Sequence, residues 1–427
     1  MRSMKAVIAI DSFKGSIDSI EAGEAAAKGI HIVYPNAKTL IYPLADGGEG
    51  TVQAMAKGLG GKLEQVEVTG PLGDRVICEY AIVENKDGKA DSIEENFSNG
   101  LTAVIEMAGA AGITLVPPDQ RNPLHTTTYG VGEVIKDAVS KGCRNFIIGI
   151  GGSATNDGGI GMLQALGAEF LDKCGKQVPF GVLGVEKLAS INCENMLPVL
   201  KECNFRIACD VDNPLCGEKG CSRIFGPQKG ATPEMVEKMD LWMERYAKLT
   251  AQYFEDRNKS TEIMKKREAT DVSFAKSRYN LSEHIYNSTY PGCGAAGGLG
   301  FAFRAFLHGS LEPGINIVLE QIGIEAAIKD ADIVITGEGR LDDQTVMGKA
   351  PVGVAKLAKK YDKPVLAFSG CVTEEANACN EAGIDAFFPI LRQVTPLEEA
   401  MKPENAKKNM SETVEQVFRV LKLTFPS

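Results

Sequence analysis

Two hydrophobic spacings alternate along this chain. Short apolar or β-branched runs bounded by turn residues predict buried strands, and longer stretches with a helical period predict helices. From the start, 5–11 predicts a strand, 17–33 a helix rich in Ala and Glu, 39–44 a second strand and 51–58 a second helix. This β-loop-α-β-loop-α opening marks a parallel α/β sheet. From residue 62 the pattern changes: 62–69, 75–84 and 101–107 predict strands with no helix between them, hence a hairpin or mixed sheet. Polar, charged 85–100 predicts a surface loop. Helices follow at 129–141 and 158–166, and strands at 145–150 and 205–211.

Thr232-Pro233-Glu234 is a good start signal for a helix over 232–254. The charged stretch 255–289 predicts a surface insertion or helical excursion, a solvated face of mixed charge. After Pro291-Gly292 the alternation returns, with helices at 299–308, 317–331, 352–361, 374–382 and 413–423 and strands at 332–336, 364–369 and 386–390. Alternation at both ends brackets a middle of different character. The pattern predicts an α/β protein of two domains: a discontinuous Rossmann-like or flavodoxin-like parallel-sheet domain, 1–68 and 292–427, with a mixed α/β domain, 69–291, inserted.

At 427 residues the chain is long enough for two or three domains, and 44% hydrophobic residues can fill large cores. A net charge of -10 argues against a general binder of nucleic acid or membrane surfaces. No apolar run approaches the ~18 residues of a membrane span. Met1-Arg2-Ser3-Met4-Lys5 enters a strand pattern without a signal-peptide layout. The 11 Cys form no C-x-x-C, which fits reduced thiols and a cytoplasmic protein. Cys209, Cys216 and Cys221 lie close together, but their spacing fits no usual zinc pattern.

The chemistry concentrates in four acid-bearing segments, three of them glycine-rich: 45–51 (Ala-Asp-Gly-Gly-Glu-Gly-Thr), 149–159 (Gly-Ile-Gly-Gly-Ser-Ala-Thr-Asn-Asp-Gly-Gly) and 336–342 (Thr-Gly-Glu-Gly-Arg-Leu-Asp), with 208–215 (Ala-Cys-Asp-Val-Asp-Asn-Pro-Leu) the fourth. The last three each end an apolar run. A strand that ends in glycines and then starts a helix points N–H groups at one spot, which suits phosphate. Carboxylates in the same loops suit a metal ion or a hydroxyl proton. Together they predict phosphoryl transfer to a small polar substrate.

Gly149-Ile150-Gly151-Gly152-Ser153-Ala154 also fits a dinucleotide fingerprint, with Glu169 about where a ribose-binding acid would stand. Gly292-Cys293-Gly294-Ala295-Ala296-Gly297 is a second such match, after a loop; its N–H groups would help hold phosphate, or its small residues would let a helix pack closely. There is no P-loop and no protein-kinase set. Asp11, Ser12 and Lys14 sit at the end of the first strand, where parallel sheets bind ligands, unless Asp11 only caps a helix. Arg340, with Asp342 behind it and Lys349 a turn later, suits a substrate carboxylate or phosphoryl group, or a plain surface ion pair. Lys229, in the turn Gly226-Pro227-Gln228-Lys229-Gly230, could reach either place.

Taken in order, Asp-Ser-Phe-Lys-Gly-Ser, Pro-Leu-Ala-Asp-Gly-Gly-Glu-Gly-Thr, Val-Thr-Gly-Pro-Leu-Gly, the 149–159 and 208–215 segments, Phe-Gly-Pro-Gln-Lys-Gly-Ala and Thr-Gly-Glu-Gly-Arg-Leu-Asp-Asp-Gln-Thr make the chain resemble the bacterial type I glycerate kinases, the glycerate 2-kinase family. The resemblance spans nearly the whole chain. It implies ATP-dependent phosphorylation of D-glycerate at the 2-hydroxyl, two α/β domains with the site in the cleft between them, and small-molecule partners only, with a homo-oligomer open. The stretches 85–100 and 255–289 depart from the family pattern and carry no site motif.

On that basis MgATP is expected with its phosphates on Gly151, Gly152, Ser153, Ala154, Thr155 and Asn156, helped by Gly294, Gly297, Gly337 and Gly339. Mg2+ is expected on Asp157 or Asp210. Lys14 and Arg340 would hold the glycerate carboxylate, with Asp11, Ser12, Glu49 and Asp342 around the substrate, and Asp46 would take the hydroxyl proton. Alternatives at this stage are a 3-phosphoglycerate product, a nucleotide-dependent hydroxy-acid oxidoreductase, and a non-catalytic two-domain binding protein. The oxidoreductase lacks a convincing His–carboxylate pair among His31, His125, His284 and His308.

Overall fold

Lys-Ala-Val-Ile-Ala-Ile is apolar at every position but the first, and folds as a strand buried on both faces. The computed structural model describes residues 3–45, 47–48, 50–84, 100–267, 286–346 and 348–424. In chain order its strands are β1 Lys5–Ile10, β2 Lys38–Ile41, β3 Lys62–Thr69, β4 Arg75–Glu84, β5 Leu101–Glu106, β6 Cys143–Gly149, β7 Glu169–Leu171, β8 Ser190–Asn192, β9 Asn204–Ala208, β10 Ser310–Glu312, β11 Ile333–Leu341, β12 Val365–Val372 and β13 Ala386–Pro389. The chain divides into two compact α/β units, Met1–Leu63 with Pro313–Ser427, and Glu64–Glu312.

The first unit holds a five-stranded sheet in the order β13-β12-β11-β1-β2. Every neighbouring pair in it is parallel. The chain moves outward from β1 to β2, then resumes on the other side of β1 and runs outward through β11, β12 and β13. The direction of winding therefore reverses between β1 and β11. Alternate residues face opposite sides of the sheet. Ala6, Ile8 and Ile10 share a core with Ile333, Ile335, Leu366 and Phe368, covered by Ala22, Ala26 and Ile30 of the Ser19–Val33 helix and by Met410, Val414 and Phe418 of the C-terminal helix. Val7, Ala9, Val334, Val365 and Ala367 are buried on the opposite face, against the Ala350–Lys359 helix.

The Ser19–Val33 helix is capped by Asp18, whose carboxylate accepts from Glu21 N while Glu21 reaches back to Asp18 N. This reciprocal arrangement fixes the helix start. Asp11 is therefore not its cap. Ser19 then ties two strand ends together: its hydroxyl donates to Ile10 O at 2.6 Å and accepts from Leu44 N at 2.8 Å.

The second unit holds a six-stranded sheet, β10-β9-β6-β5-β4-β3. The strands β10, β9, β6 and β5 are mutually parallel, and β4 is antiparallel to β5. Its core includes Phe146 stacked on Phe205 at 4.8 Å and Phe303 of the Ala295–Leu307 helix. Because β5, β6 and β9 run the same way, the loops after Glu106, Gly149 and Ala208 leave from one edge.

Three details differ from the sequence expectation. The seams fall at 63/64 and 312/313, where the sequence predicts 68/69 and 291/292. The second lies later because Phe301 and Phe303 enter the core of the inserted unit and β10 pairs with β9. The helix expected to end near 254 runs over Pro233–Arg267. The stretches 85–99 and 268–285 lie outside the described residues. No helix among the described residues is long and apolar enough to cross a membrane.

The two helices on the first unit's sheet approach closely at Gly29. A β-carbon there would lie 2.4 Å from Ser411 O and 2.9 Å from Val414 Cβ. We expect Gly29→Ala to lower the unfolding free energy by about 1–3 kcal/mol through overpacking, measured by urea titration.

Candidate active site

The reversal between β1 and β11 brings two motifs together at the carboxyl edge of the first sheet, the place where open α/β sheets bind ligands. Asp11 continues β1 by donating its N–H to Gly337 O at 2.8 Å. Its carboxylate, in a residue only 5% exposed, accepts the N–H of Ser12. Gly15, at φ +76°, then turns the chain, leaving Lys14 exposed at the tip. A β-carbon on Gly339 would lie 3.5 Å from Phe13 Cα and 3.8 Å from Lys14 N, so the two motifs pack backbone to backbone.

The 336–342 segment is not a loop after a strand. All of it but Asp342 lies within β11, which pairs with β12 as far as Leu341 opposite Val372. Gly337 is there for close approach: a β-carbon would lie 1.9 Å from Phe368 O. This corrects the expectation that Gly337 offers its N–H to phosphate, since it belongs to the strand ladder. Gly339 lies in the same strand, which leaves it a spacer beside Phe13 rather than a phosphate turn.

Beyond the glycines, Arg340 Nε lies 3.4 Å from Asp342 Oδ2 and Lys349 Nζ 3.7 Å from Asp342 Oδ1. The Arg340 side chain is 64% exposed, so its guanidinium keeps donors for a ligand. Glu338 is buried and accepts from Thr345 Oγ1 at 2.6 Å, and Thr345 Oγ1 also accepts Asp342 N. Ser369 Oγ accepts Leu341 N and donates to Cys371 O. Glu338, Thr345 and Ser369 were not predicted. Their signal was weak because each acts by holding the Arg340 segment in shape.

Asp46 and Glu49 lie outside the described residues. Their neighbours are fixed: Leu44 hangs on Ser19, and Thr51 Oγ1 donates to Gly48 O at 2.7 Å.

In the second unit, the loop after β6 is pinned on both sides. Ile113 N donates to Gly152 O, Ala154 N donates to Ala111 O, and Thr126 Oγ1 donates to Ala154 O. Between these pins Gly151 and Gly152 are exposed, and their N–H groups bond to no other described residue. A β-carbon on Gly151 would meet nothing within 4 Å. Neither packing nor a positive φ requires glycine there, so the open space it leaves suits a ligand. The following helix, Ile160–Ala165, is a single short piece, so any phosphate would be held by the loop itself.

Below this loop lies Lys229, 2% exposed. Its Nζ donates to Ser153 Oγ at 2.8 Å and to Thr155 O at 2.6 Å. Burial pushes its pKa down to about 8. Asp157 is fully buried and fully used: it accepts from Thr128 N, Thr128 Oγ1, Gly159 N and Gly161 N. Burial pushes its carboxyl up, and the four donors pull it back. This corrects its assignment as a metal ligand, because the loop has already spent both oxygens. Thr155 Oγ1 and Asn156 Oδ1 are buried without a partner among the described residues, while Asn156 Nδ2 donates to Ser222 Oγ.

Gly294 does not offer its N–H to phosphate as expected, and Gly297 serves a close backbone approach. Gly294 N donates to Asn213 O at 2.8 Å, and β-carbons on Gly294 and Gly297 would lie 2.2 Å from Pro214 O and 2.1 Å from Thr155 O. They let the Ala295–Leu307 helix start against the loop. Asp210 follows β9 and is exposed. Glu169 sits in the small β7–β8 hairpin and accepts from Asn192 and Asn195. It is thus no ribose-binding acid, which removes the support for a dinucleotide site. Among the described residues no three His, Cys, Asp or Glu are grouped to share a metal ion.

The Lys229 shift carries a sign. Its folded pKa lies below the unfolded value near 10.4, so the folded state binds fewer protons between about pH 8 and 10 and gains stability as pH rises there. We expect the stability of the wild type relative to Lys229→Met to rise by up to about 3 kcal/mol from pH 7 to 10, checked by urea titration at each pH.

These two clusters can be set against known proteins. The glycerate kinase family matches residues 6–422. A glycerate kinase from Haemophilus influenzae is 43% identical over 422 residues, covering 99% of this chain and 100% of the relative. A glycerate 2-kinase from Escherichia coli is 43% identical over 399 residues, 93% of each chain. A crystal structure assigned as a glycerate kinase 2 from Salmonella typhimurium LT2 superposes with a TM-score of 0.80 at 42% identity, covering 99% of this chain and 100% of that one. The chain is therefore a kinase, and it belongs to the glycerate kinase family.

Proposed function

We propose that this kinase transfers the γ-phosphoryl group of ATP to the 2-hydroxyl of D-glycerate, giving 2-phospho-D-glycerate and ADP. The observation that carries the reading is the backbone packing of the Lys14 and Arg340 motifs at the β1/β11 switch point, which sets two exposed cations on one sheet edge, suited to a small carboxylate. Choice of the 2-position rests on likeness to the Escherichia coli relative, whose name specifies it.

Lys14 and Arg340 hold the glycerate carboxylate, with Asp11, Ser12, Glu49 and Asp342 shaping the rest of the subsite. A bidentate guanidinium fixes a carboxylate in orientation as well as position. The ATP phosphates rest on the 151–156 loop. The room in front of Gly151, the N–H groups there that bond to no other described residue and the buried Lys229 cation all fit an anion. Bound Mg2+ would neutralise phosphate charge, and with Asp157 already saturated, Asp210 is the side chain that would help hold it. Such ions keep most of their ligands from phosphate and water, so a full protein cage is not needed.

In the reaction the hydroxyl oxygen bonds to the γ-phosphorus, the bond from that phosphorus to the bridging oxygen breaks, and ADP leaves. Asp46 takes the hydroxyl proton. Catalysis is then mainly positioning and charge stabilisation.

Proton-coupled phosphorus NMR with MgATP and D-glycerate should give a new phosphomonoester doublet, from the single proton on carbon 2. A triplet would assign the 3-hydroxyl instead, and no new signal would remove glycerate as acceptor. Asp46→Asn should lower kcat by about 10²-fold or more, and near-native turnover would remove Asp46 as the base. Arg340→Ala should raise the KM for glycerate by about tenfold or more while leaving the KM for ATP near its original value.

A further inference from the structure

A lysine inside a protein needs a reason, because desolvating an ammonium is costly and the side chain has no acceptor of its own to offer. Lys229 is 2% exposed, yet no carboxylate lies within ion-pair distance of it among the described residues. Its two named acceptors are neutral, Ser153 Oγ and Thr155 O, both in the 149–159 loop. The titratable groups acting on it are the buried Cys221 thiol, which burial pushes up to about 12, and Asp157, whose oxygens are spent on Thr128, Gly159 and Gly161. Arg121 packs against the turn by its backbone: a β-carbon on Gly230 would lie 2.1 Å from Arg121 O.

The hydrogen-bond direction settles what this does to Ser153. An ammonium only donates, so Ser153 Oγ must accept from it and its own hydrogen is left to point elsewhere. Ser153 follows the exposed pair Gly151 and Gly152, whose N–H groups bond to no other described residue. We propose that Lys229 is a positioning residue for nucleotide phosphate: its buried charge acts through the Ser153 hydroxyl, fixing that group as a donor towards the same space the Gly151 and Gly152 N–H groups face. This rests on the reading of the 151–156 loop as the phosphate site.

The buried ammonium, with its pKa near 8, gives the relay a pH signature. A phosphate at the loop favours the charged form of Lys229. Affinity for it therefore falls as pH rises through about 8 and the free protein loses the proton.

The test is calorimetric titration of the full chain with MgADP. Ser153→Ala and Lys229→Met should each weaken binding by about tenfold, and the double variant should be no weaker than the worse single one, because both cut one relay. Between pH 7.5 and 9 the wild-type affinity should fall, and that of Ser153→Ala should fall less. Losses that multiply in the double variant would overturn the relay. If Lys229→Met does not fold, the two pH series decide: equal slopes in wild type and Ser153→Ala overturn it. Gly151→Ala separates the relay from the reading beneath it. Weak MgADP binding by Gly151→Ala, with Ser153→Ala and Lys229→Met unaffected, sinks the relay alone, whereas wild-type affinity in all of these variants sinks the phosphate loop as well.

Discussion

β1 and β11 lie side by side in register, Ala6 opposite Ile333 and Ile10 opposite Gly337, although the whole of the second unit intervenes in sequence. Much of the first unit depends on this one parallel pairing. It lets the two ends of the chain share one sheet. It makes the winding reverse, and so sets Asp11–Lys14 beside Gly337–Asp342. The N–H of Asp11 extends the ladder one step past β1, onto Gly337 O. Ser19 fastens the next strand end to the same point through Ile10 and Leu44.

Such a long-range pairing is less costly than it looks. The entropy of closing a loop grows only with the logarithm of its length. An inserted segment that folds around its own core behaves as a short, stiff link. The second unit has that core, with Phe146, Phe205, Phe301 and Phe303 in it, and its sheet is complete without strands from the first. The placement of the Ala295–Leu307 helix follows from this: its aromatic side chains satisfy the second core, so it folds there rather than with the strands that follow it in sequence.

The fold was largely legible because its strands are continuous β-branched runs and its turns carry glycine at positive φ. Legibility failed where tertiary partners decide. Gly337 and Gly339 read as a loop by composition, yet β12 offers a ladder that extends β11 through both. Gly294 and Gly297 read as phosphate donors, but the contacts they serve come from Asn213, Pro214 and Thr155, remote or unremarkable in sequence. Asp157 looked like a ligand because acidic residues usually are when they stand among glycines. Its main partner, Thr128, is 29 residues away and carries no sign of the role. Lys229 stood in a recognisable turn, but a lysine is ordinarily solvated, and only the packing of that turn under the loop reveals otherwise.

The two clusters handle charge in opposite ways. At the β1/β11 edge the cations are solvated: Lys14 and Arg340 are exposed, and the interaction of Arg340 with Asp342 contributes little to stability. The 149–159 loop rests on buried charge and buried polar groups, Asp157 within it and Lys229 beneath it, with Thr155 Oγ1 and Asn156 Oδ1 unpartnered among the described residues. A loop selected only for stability would be better served by apolar side chains of similar volume. Strain and unmet hydrogen-bonding capacity of this kind gather where a protein must present a fixed shape to a ligand. The loop is rigid because Asp157 gathers its N–H groups inward. It carries a positive charge because Lys229 sits beneath it, bonded to the neutral acceptors Ser153 Oγ and Thr155 O while the Asp157 oxygens are spent on Thr128, Gly159 and Gly161, and it is open because Gly151 has no side chain. Those three properties together are what a phosphate site requires, and each is supplied by a different residue.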